Sequence, residues 1–231
     1  MTESGTVPPP LSFSFIQMRR RKYNPYFPPE SDGALNPNIV SELKTQVPRA
    51  DAAVSCMGGN AHSVFGLLNH PEPYDFVADG LPLVQGRQVV PRSVVKASLK
   101  EQMEDGLKVF AALRSFIDKP MFHCQSPPPL PESHIRIYPG VFAERLDRFG
   151  VAPASFRLKL WKLQSEIYRE FCAAHDIEFL PVPAECVDPD GLLTTQARGE
   201  DPTHGNAWYG ERVVHQLAAR LAAIPQVVSG A

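Results

Sequence analysis

Residues 50–60 read ADAAVSCMGGN, and this stretch decides the fold that we predict. Its first eight residues are mostly small and apolar, which is typical of a strand buried on both faces of a parallel sheet. The strand then ends in Gly58, Gly59 and Asn60. Glycines at the carboxyl end of such a strand allow a close approach of the backbone, and ligands of open α/β sheets bind at this edge.

Helical and strand patterns alternate on both sides of this stretch. Apolar residues at helical spacing predict helices over 38–46, 93–117, 155–175 and 207–224. Short apolar runs predict strands over 119–124 and 177–182, and the alternating sequence LSFSFIQM predicts another over 11–18. This order indicates an α/β fold, a flavodoxin-like three-layer α/β/α sandwich with a mainly parallel sheet.

Composition and charge restrict the class of protein. The chain has 231 residues, of which 43% are hydrophobic and 21% are charged, so it can bury the core of a globular domain. We expect one domain over residues 11–225, a disordered segment over 1–10 and a tail over 226–231. The formal net charge of -2 gives no excess of positive charge for phosphate backbones, so we expect no nucleic-acid partner.

Targeting and cysteine patterns give further expectations. No apolar run approaches the roughly 20 residues of a transmembrane helix, and the N-terminus lacks the pattern of a secretory signal. We therefore expect no membrane partner and a cytoplasmic location.

The four cysteines form no C-x-x-C pair and the histidines show no metal-binding spacing, so we expect neither a metal site nor a cofactor. Cys56 and Cys172 fall on apolar segments, which favours a place in the core.

The segment 201–204 (DPTH) directly precedes the last predicted helix. In a D-x-x-H segment the carboxylate can bond one imidazole nitrogen while the other faces a nucleophile, as in acyl-transfer enzymes. The alternative is an Asp that caps the helix beside a surface His. A parallel sheet could bring this segment and the turn 58–60 to the same edge, where an Asn amide and a glycine N–H can donate to an oxyanion.

With these two segments the chain resembles the SGNH, or GDSL-type, hydrolase superfamily. The family's G-x-N block is similar to residues 58–60, and its D-x-x-H block is similar to residues 201–204. The resemblance implies a flavodoxin-like α/β/α fold and hydrolysis or acyl transfer of an ester or thioester without a metal.

The resemblance also implies roles for single residues. His204 would be the general base, Asp201 would hold its tautomer, and Asn60 with Gly58 would serve as oxyanion and positioning elements. The family's nucleophilic serine belongs to a G-D-S block, which the chain does not contain. Its nearest counterpart is Ser4 in the sequence TESGT.

The surroundings of Ser4 depart from the family pattern. No strand can precede this serine, and the prolines that follow cannot begin the helix that should present it. We therefore expect the family's first strand and helix to be missing, with residues 11–18 as the second strand. Two explanations then stay open: the start of the sequence has been placed too late, or the protein is a degenerate member of the family.

Five further residues are candidates for contact with substrate because they lie near the two blocks or on loops that line the family's cleft. They are Gly33, Gly59, His62, Gln125 and Ser126. Ser126 can equally be a turn residue before three prolines, and His62 a helix-start or surface residue.

Three functions stay open on the sequence. The first is a serine esterase or acyltransferase that acts on a small-molecule or carbohydrate ester, an acetyl ester being one candidate. The second is a truncated or degenerate, non-catalytic relative that lacks the nucleophile and at most binds a ligand; its exposed sheet edge would favour a homo-oligomer. The third is a flavodoxin-like nucleotide binder, but no glycine-rich phosphate motif supports it.

Overall fold

A computed structural model describes residues 11–223 of the chain. The segment predicted over 1–10, with Ser4, and the tail predicted over 226–231 lie outside the described residues. The described helices are α1 (Pro37–Gln46), α2 (Ala61–Gly66), α3 (Arg92–Arg114), α4 (Glu132–Ile137), α5 (Ala143–Phe149), α6 (Ala154–Ala174) and α7 (Ala207–Ala222). The strands are β1 (Ala53–Ser55), β2 (Tyr74–Asp75), β3 (Gln88–Val89), β4 (Met121–Cys124) and β5 (Glu178–Leu180).

The central sheet consists of three parallel strands in the order β1-β4-β5. In its register Ser55 lies opposite His123, and His123 lies opposite Phe179. Parallel strands need long crossover connections, and helices supply them here: α2 and α3 between β1 and β4, and α4 to α6 between β4 and β5. Strands β2 and β3 form a separate two-residue parallel ladder.

Alternate residues of β4 face two different helix layers. Met121 belongs to the main core cluster with α2, α3 and α6, and the ring of His123 lies 5.1 Å from that of Phe110 on the same side. Phe122 points the other way and packs with Leu217 of α7. Helices therefore cover both faces of the sheet, which confirms the predicted α/β/α sandwich.

The four long predicted helices and the strands at β4 and β5 are confirmed, with ends within a few residues of the predicted ones. Three short helices were not predicted: α2 and α4 have 6 residues each and α5 has 7. Segments of this length hold less than two helical turns, so no apolar periodicity marks them in the sequence.

One strand prediction is wrong, and another is confirmed over part of its length. Residues 11–18 join no strand, and Phe13 and Phe15 are exposed with their rings stacked on each other. Their alternating pattern therefore does not mark one face of a sheet. The strand predicted within 50–57 is confined to β1, and Val54 is 38% exposed because β1 pairs only with β4 and forms an edge of the described sheet.

Helix α6 carries buried polar side chains as well as apolar ones. Lys159 is fully buried, and its Nζ lies 2.9 and 2.8 Å from the two carboxylate oxygens of Asp75, which is also fully buried. Asp75 further accepts the backbone N–H groups of Phe76 and Val84. Each charged atom of this buried ion pair therefore has a hydrogen-bond partner, as a buried pair requires. The pair links β2 to α6.

Candidate active site

His204 and Asp201 form the hydrogen-bonded pair that their spacing suggests. Nδ1 of His204 lies 3.0 Å from Oδ1 of Asp201, and the same oxygen accepts the backbone N–H groups of Thr203 and His204 at 2.7 Å each. We place the ring proton on Nδ1, because a carboxylate can only accept, so Nε2 is left as the acceptor. The His204 side chain is 72% exposed, which leaves the ring open to a ligand.

The Asp201 carboxylate is stabilised in its charged form. Burial tends to raise its pKa, but the backbone N–H groups of Thr203 and His204 and the imidazole outweigh this effect and lower it below the usual value. Asp201 does not cap α7, because that helix is capped by Asn206, whose Oδ1 accepts the N–H of Tyr209 at 3.1 Å. The alternative role of Asp201 as a helix cap is therefore wrong.

Backbone hydrogen bonds close the loop that carries this pair. The N–H of Gly199 donates to the carbonyl of His204 at 3.0 Å, and the N–H of Asn206 donates to the carbonyl of Ala197 at 2.8 Å. Nε2 of His134 lies 2.8 Å from the carbonyl oxygen of Gly199 and joins the loop to α4. These hydrogen bonds, most of them within the loop itself, define its turn.

Two side chains of α6 hold the turn at 58–60. The hydroxyl of Tyr168 donates to the carbonyl of Gly58 at 3.0 Å, and Nε2 of Gln164 donates to the carbonyl of Gly59 at 3.0 Å. Gly58 has a φ of +69°, and a Cβ atom there would lie 2.0 Å from the Tyr168 hydroxyl, so the position requires glycine. Asn60 precedes α2, is exposed and does not cap it, which leaves its amide able to donate to a ligand.

Gln164 also positions His62 and Ser126. Its Oε1 accepts the backbone N–H of His62 at 2.8 Å and lies 3.2 Å from Nδ1 of the same residue, while Nε2 donates to Oγ of Ser126 at 3.2 Å. His62 is buried, and burial lowers its pKa to about 4, so its ring is neutral at neutral pH. One glutamine therefore fixes three of the predicted site residues, Gly59 included.

A small pocket separates α2 from the D-x-x-H loop. The space between its walls is about 260 Å³ with the mouth included, but only about 10 Å³ admits the centre of a water molecule, roughly the space that one water needs. Its lining consists of His62, Ser63, Gly66, Leu67, Pro128, Pro129, Leu130, Arg157, Pro202 and Thr203. The pocket thus lies between α2, which follows the turn at 58–60, and Pro202 and Thr203 of the D-x-x-H loop, whose Asp201 and His204 do not line it.

Among the predicted site residues in the described part of the chain, His62 alone lines the pocket. Gln125 is buried, and both ends of its amide are occupied, by Oγ of Ser165 at 2.8 Å and by the N–H of Val182 at 3.1 Å. Gly33 lies in an exposed turn before α1, with φ +78° and nothing within 4 Å of a Cβ atom placed on it. Ser4 lies outside the described residues.

Cys56 and Cys124 lie side by side at the carboxyl ends of β1 and β4, since the register pairs the residues just before them. Cys56 is exposed, so its predicted place in the core is wrong, whereas Cys172 is buried as predicted. The neighbouring Cys124 thiol lowers the pKa of Cys56 to about 7, and Cys56 in turn raises the pKa of Cys124. The two residues form no disulfide in the structure.

Sequence reasoning missed the residues of α6 that organise the site. Arg157, Gln164 and Tyr168 are spaced by seven and four residues, so they lie on one face of the helix. Polar residues at that spacing on an otherwise apolar face are the signal that could have found them. The pair of cysteines had no such signal, because their positions in the sequence are far apart.

Within residues 11–223, no three metal-ligating side chains cluster closely enough to hold an ion. No helix in this part of the chain is both long and apolar enough to cross a membrane. Comparison of the chain with models of known protein families, with curated proteins and with solved structures gives no match.

Proposed function

We propose that the protein is an esterase or acyltransferase of the SGNH type, in which His204 acts as the general base and Asp201 orients it. The observation that carries the proposal is the 3.0 Å contact between Nδ1 of His204 and Oδ1 of Asp201 on a loop that leaves the ring exposed. A base held by a carboxylate on one nitrogen and free on the other is the arrangement that activates a hydroxyl nucleophile.

The chemistry follows from this arrangement. Nε2 of His204 takes the proton of the nucleophilic hydroxyl as its oxygen attacks the ester carbonyl, and the Asn60 amide donates to the oxyanion that develops. The tetrahedral intermediate then collapses, the bond to the leaving alcohol breaks, and the imidazolium returns the proton to that alcohol. Water or a second alcohol releases the acyl group by the same steps, which gives hydrolysis or transfer.

Asp201 remains a carboxylate throughout this cycle. Its lowered pKa keeps it charged at neutral pH, so it stabilises the imidazolium that forms when His204 accepts a proton. We propose Ser4, the nearest counterpart of the family's nucleophilic serine, as the nucleophile. The proposed substrate is a small-molecule or carbohydrate ester.

One observation favours a second candidate, a non-catalytic relative that binds a ligand. Within residues 11–223, the hydrogen bonds of the His204 ring are those of Nδ1 with Asp201 and Thr203, and no serine hydroxyl is bonded to Nε2. In this second candidate the pocket would serve binding alone.

Covalent labelling with a fluorophosphonate probe separates the two candidates. We expect one label per wild-type chain, at Ser4, measured by intact mass and peptide mapping. The label should be lost in His204→Ala and slowed at least about 100-fold in Asp201→Asn, because the uncharged amide no longer stabilises the imidazolium. His215→Ala, which removes an exposed histidine of α7, is the matched control and should label as the wild type does.

The outcomes decide between the candidates. A folded wild type that takes no label would contradict the catalytic proposal and favour the binding relative. Labelling that persists in His204→Ala would show that His204 is not the base.

A further inference from the structure

Arg157, in the first turn of α6, carries a buried positive charge. Its residue is 3% exposed, and it forms no salt bridge within the part of the chain that the structure describes. Nε donates to the carbonyl of Ala152 at 2.8 Å, and Nη1 donates to the carbonyl of Leu130. Nη2 is buried and has no hydrogen-bond partner among the described residues.

Lys159 is a second buried cation on the same helix, and it has a counter-ion. Both oxygens of Asp75 pair with its ammonium group, so charge and hydrogen bonds are matched inside the protein. Arg157 donates its hydrogen bonds to neutral carbonyls. Burial lowers its pKa to about 10, so it stays protonated, and the charge of Glu132 opposes this lowering without forming a salt bridge to it among the described residues. Buried N–H groups are almost always satisfied, so Nη2 still lacks a partner, and an anion would supply both the hydrogen bond and a nearer opposite charge.

The pocket between α2 and the D-x-x-H loop is where this anion can bind. Arg157 lines it, together with the Ser63 side chain on one wall and Thr203 on the other. Prolines and leucines form most of the remaining lining, and such apolar walls strengthen the attraction between a guanidinium and an anion. The water-sized inner space can take one oxygen of an anionic group whose remainder lies in the mouth of the pocket, and the single positive charge favours a group with one negative charge.

We propose that this pocket binds a carboxylate group, with Nη2 of Arg157 as the charged donor and the Ser63 hydroxyl beside it. An Arg guanidinium and a carboxylate are matched in geometry as well as in charge. Thr203 connects this pocket to the proposed base, since its Oγ1 lies 3.2 Å from Nδ1 of His204. If the proposed function holds, on which this last step rests, the substrate is an ester that also carries a free carboxylate.

Ser63 is assigned to binding although its surroundings resemble those of a nucleophile. Its Oγ lies 3.2 Å from Nε2 of His62, and Nδ1 of that ring faces Gln164. A histidine with a pKa of about 4 is a weak base at neutral pH, so this pair is poorly suited to removing a proton. An anion in the pocket would compete with Nε2 of His62 for the proton of this hydroxyl.

Calorimetric titration with sodium acetate tests the pocket without any assay of activity. At neutral pH and constant ionic strength, we expect saturable binding of one acetate per wild-type chain and no binding of acetamide, its uncharged counterpart. Arg157→Lys should weaken acetate binding at least about tenfold, because the shorter lysine side chain cannot place a donor at the position of Nη2. Ser63→Ala should weaken it about fivefold through the loss of one hydrogen bond.

Controls keep the result specific. Arg148→Lys makes the same substitution at an exposed arginine, with the net charge unchanged, and should bind acetate as the wild type does. If Arg157→Lys does not fold, Ser63→Ala decides alone. The proposal is overturned if acetate does not bind saturably, if Ser63→Ala binds it as tightly as the wild type, or if inorganic phosphate binds more tightly than acetate.

A second arm tests the substrate class. We expect the wild type to hydrolyse monomethyl succinate with a kcat/KM at least about tenfold above that for dimethyl succinate, and Ser63→Ala to reduce this preference. Equal rates for the two esters would overturn the substrate class. Acetate binding without hydrolysis of either ester would leave the pocket established and contradict the proposed function, so the two failures can be told apart.

Discussion

The Asp201 side chain gathers four hydrogen bonds on a single oxygen atom, from two backbone N–H groups, the Thr203 hydroxyl and one imidazole. All four donors come from the next three residues of the chain, so the pair forms wherever the loop keeps this turn. Contacts of such short range are encoded locally, and this is why the sequence alone predicts the pairing of Asp201 with His204. The residues that would act together with this pair are brought near it by the tertiary structure, which local sequence does not specify.

Cys56 gives a prediction at the scale of single residues. Because the Cys124 thiol stabilises its thiolate, Cys56 should react with iodoacetamide along a titration curve with a midpoint near pH 7. Cys124→Ala removes the donor and should move this midpoint upward by at least about one pH unit. Cys124→Ser keeps a hydroxyl donor and is the matched control, with a midpoint close to that of the wild type.

Alkylation rates read by peptide mass spectrometry measure this midpoint. The buried Cys172 should react slowly at every pH and serves as an internal reference. A Cys56 midpoint that is the same in the wild type and in Cys124→Ala would contradict the assigned hydrogen bond between the two thiols.

At the scale of elements, α6 is the part of the fold that positions the candidate site. Its buried face holds Arg157 in the pocket, Gln164 under the turn at 58–60 and Tyr168 beside Gly58. The same helix supplies much of the main core cluster. Packing of α6 and ordering of the site therefore depend on the same contacts.

Substitutions at two glycines show how much the packing of the turn at 58–60 against α6 contributes to stability. Gly33 and Gly58 both have positive φ, but a Cβ atom meets nothing within 4 Å at Gly33 and the Tyr168 hydroxyl at 2.0 Å at Gly58. Gly33→Ala should lower the free energy of unfolding by about 1 to 2 kcal/mol, the cost of the left-handed conformation. Gly58→Ala should lower it by at least about 3 kcal/mol, because overpacking adds to that cost.

Urea denaturation of both variants measures these differences. Tyr168→Phe removes the atom that clashes, so the double variant Gly58→Ala/Tyr168→Phe should be less destabilised than the sum of its two single changes. Equal losses in Gly33→Ala and Gly58→Ala would contradict the close packing of the turn against α6.

The elements differ in how well the sequence predicts them. Helices α3 and α6 repeat their apolar positions over several turns, so periodicity identifies them. The segment 11–18 has the alternation of a strand, but its phenylalanines are exposed and no partner strand pairs with it. A local sequence pattern cannot specify which strand will be the hydrogen-bonding partner. The position of Arg157 beside the pocket also depends on tertiary packing, so local sequence does not predict it.

At the scale of the whole molecule, two buried histidines make stability depend on pH. Burial lowers the pKa of His62 and of His123 to about 4 in the folded state, below the ordinary value of about 6.5 that an unfolded chain shows. Between these values the unfolded chain binds protons that the folded one does not. Stability is therefore fully present above about pH 6.5 and is lost as pH falls toward 4, by about 3 kcal/mol for each histidine.

Urea denaturation at pH 7 and pH 4.5 measures this loss. His123→Gln removes one of the two titrating groups and should lose less stability between these pH values than the wild type does. His215→Gln removes an exposed histidine and should lose as much as the wild type. A His123→Gln variant with the wild-type pH dependence would contradict a neutral, buried His123.

The amide N–H of His62 donates to the side chain of Gln164, and this contact has a consequence for the motions of the protein. Such an amide can exchange its hydrogen with solvent only when this hydrogen bond opens. Gln164 is buried and also bonds Gly59 and Ser126, so opening of the turn at 58–60 breaks contacts with a central helix. Motion that admits a ligand must come from the opposite wall, where the D-x-x-H loop depends mainly on its own hydrogen bonds.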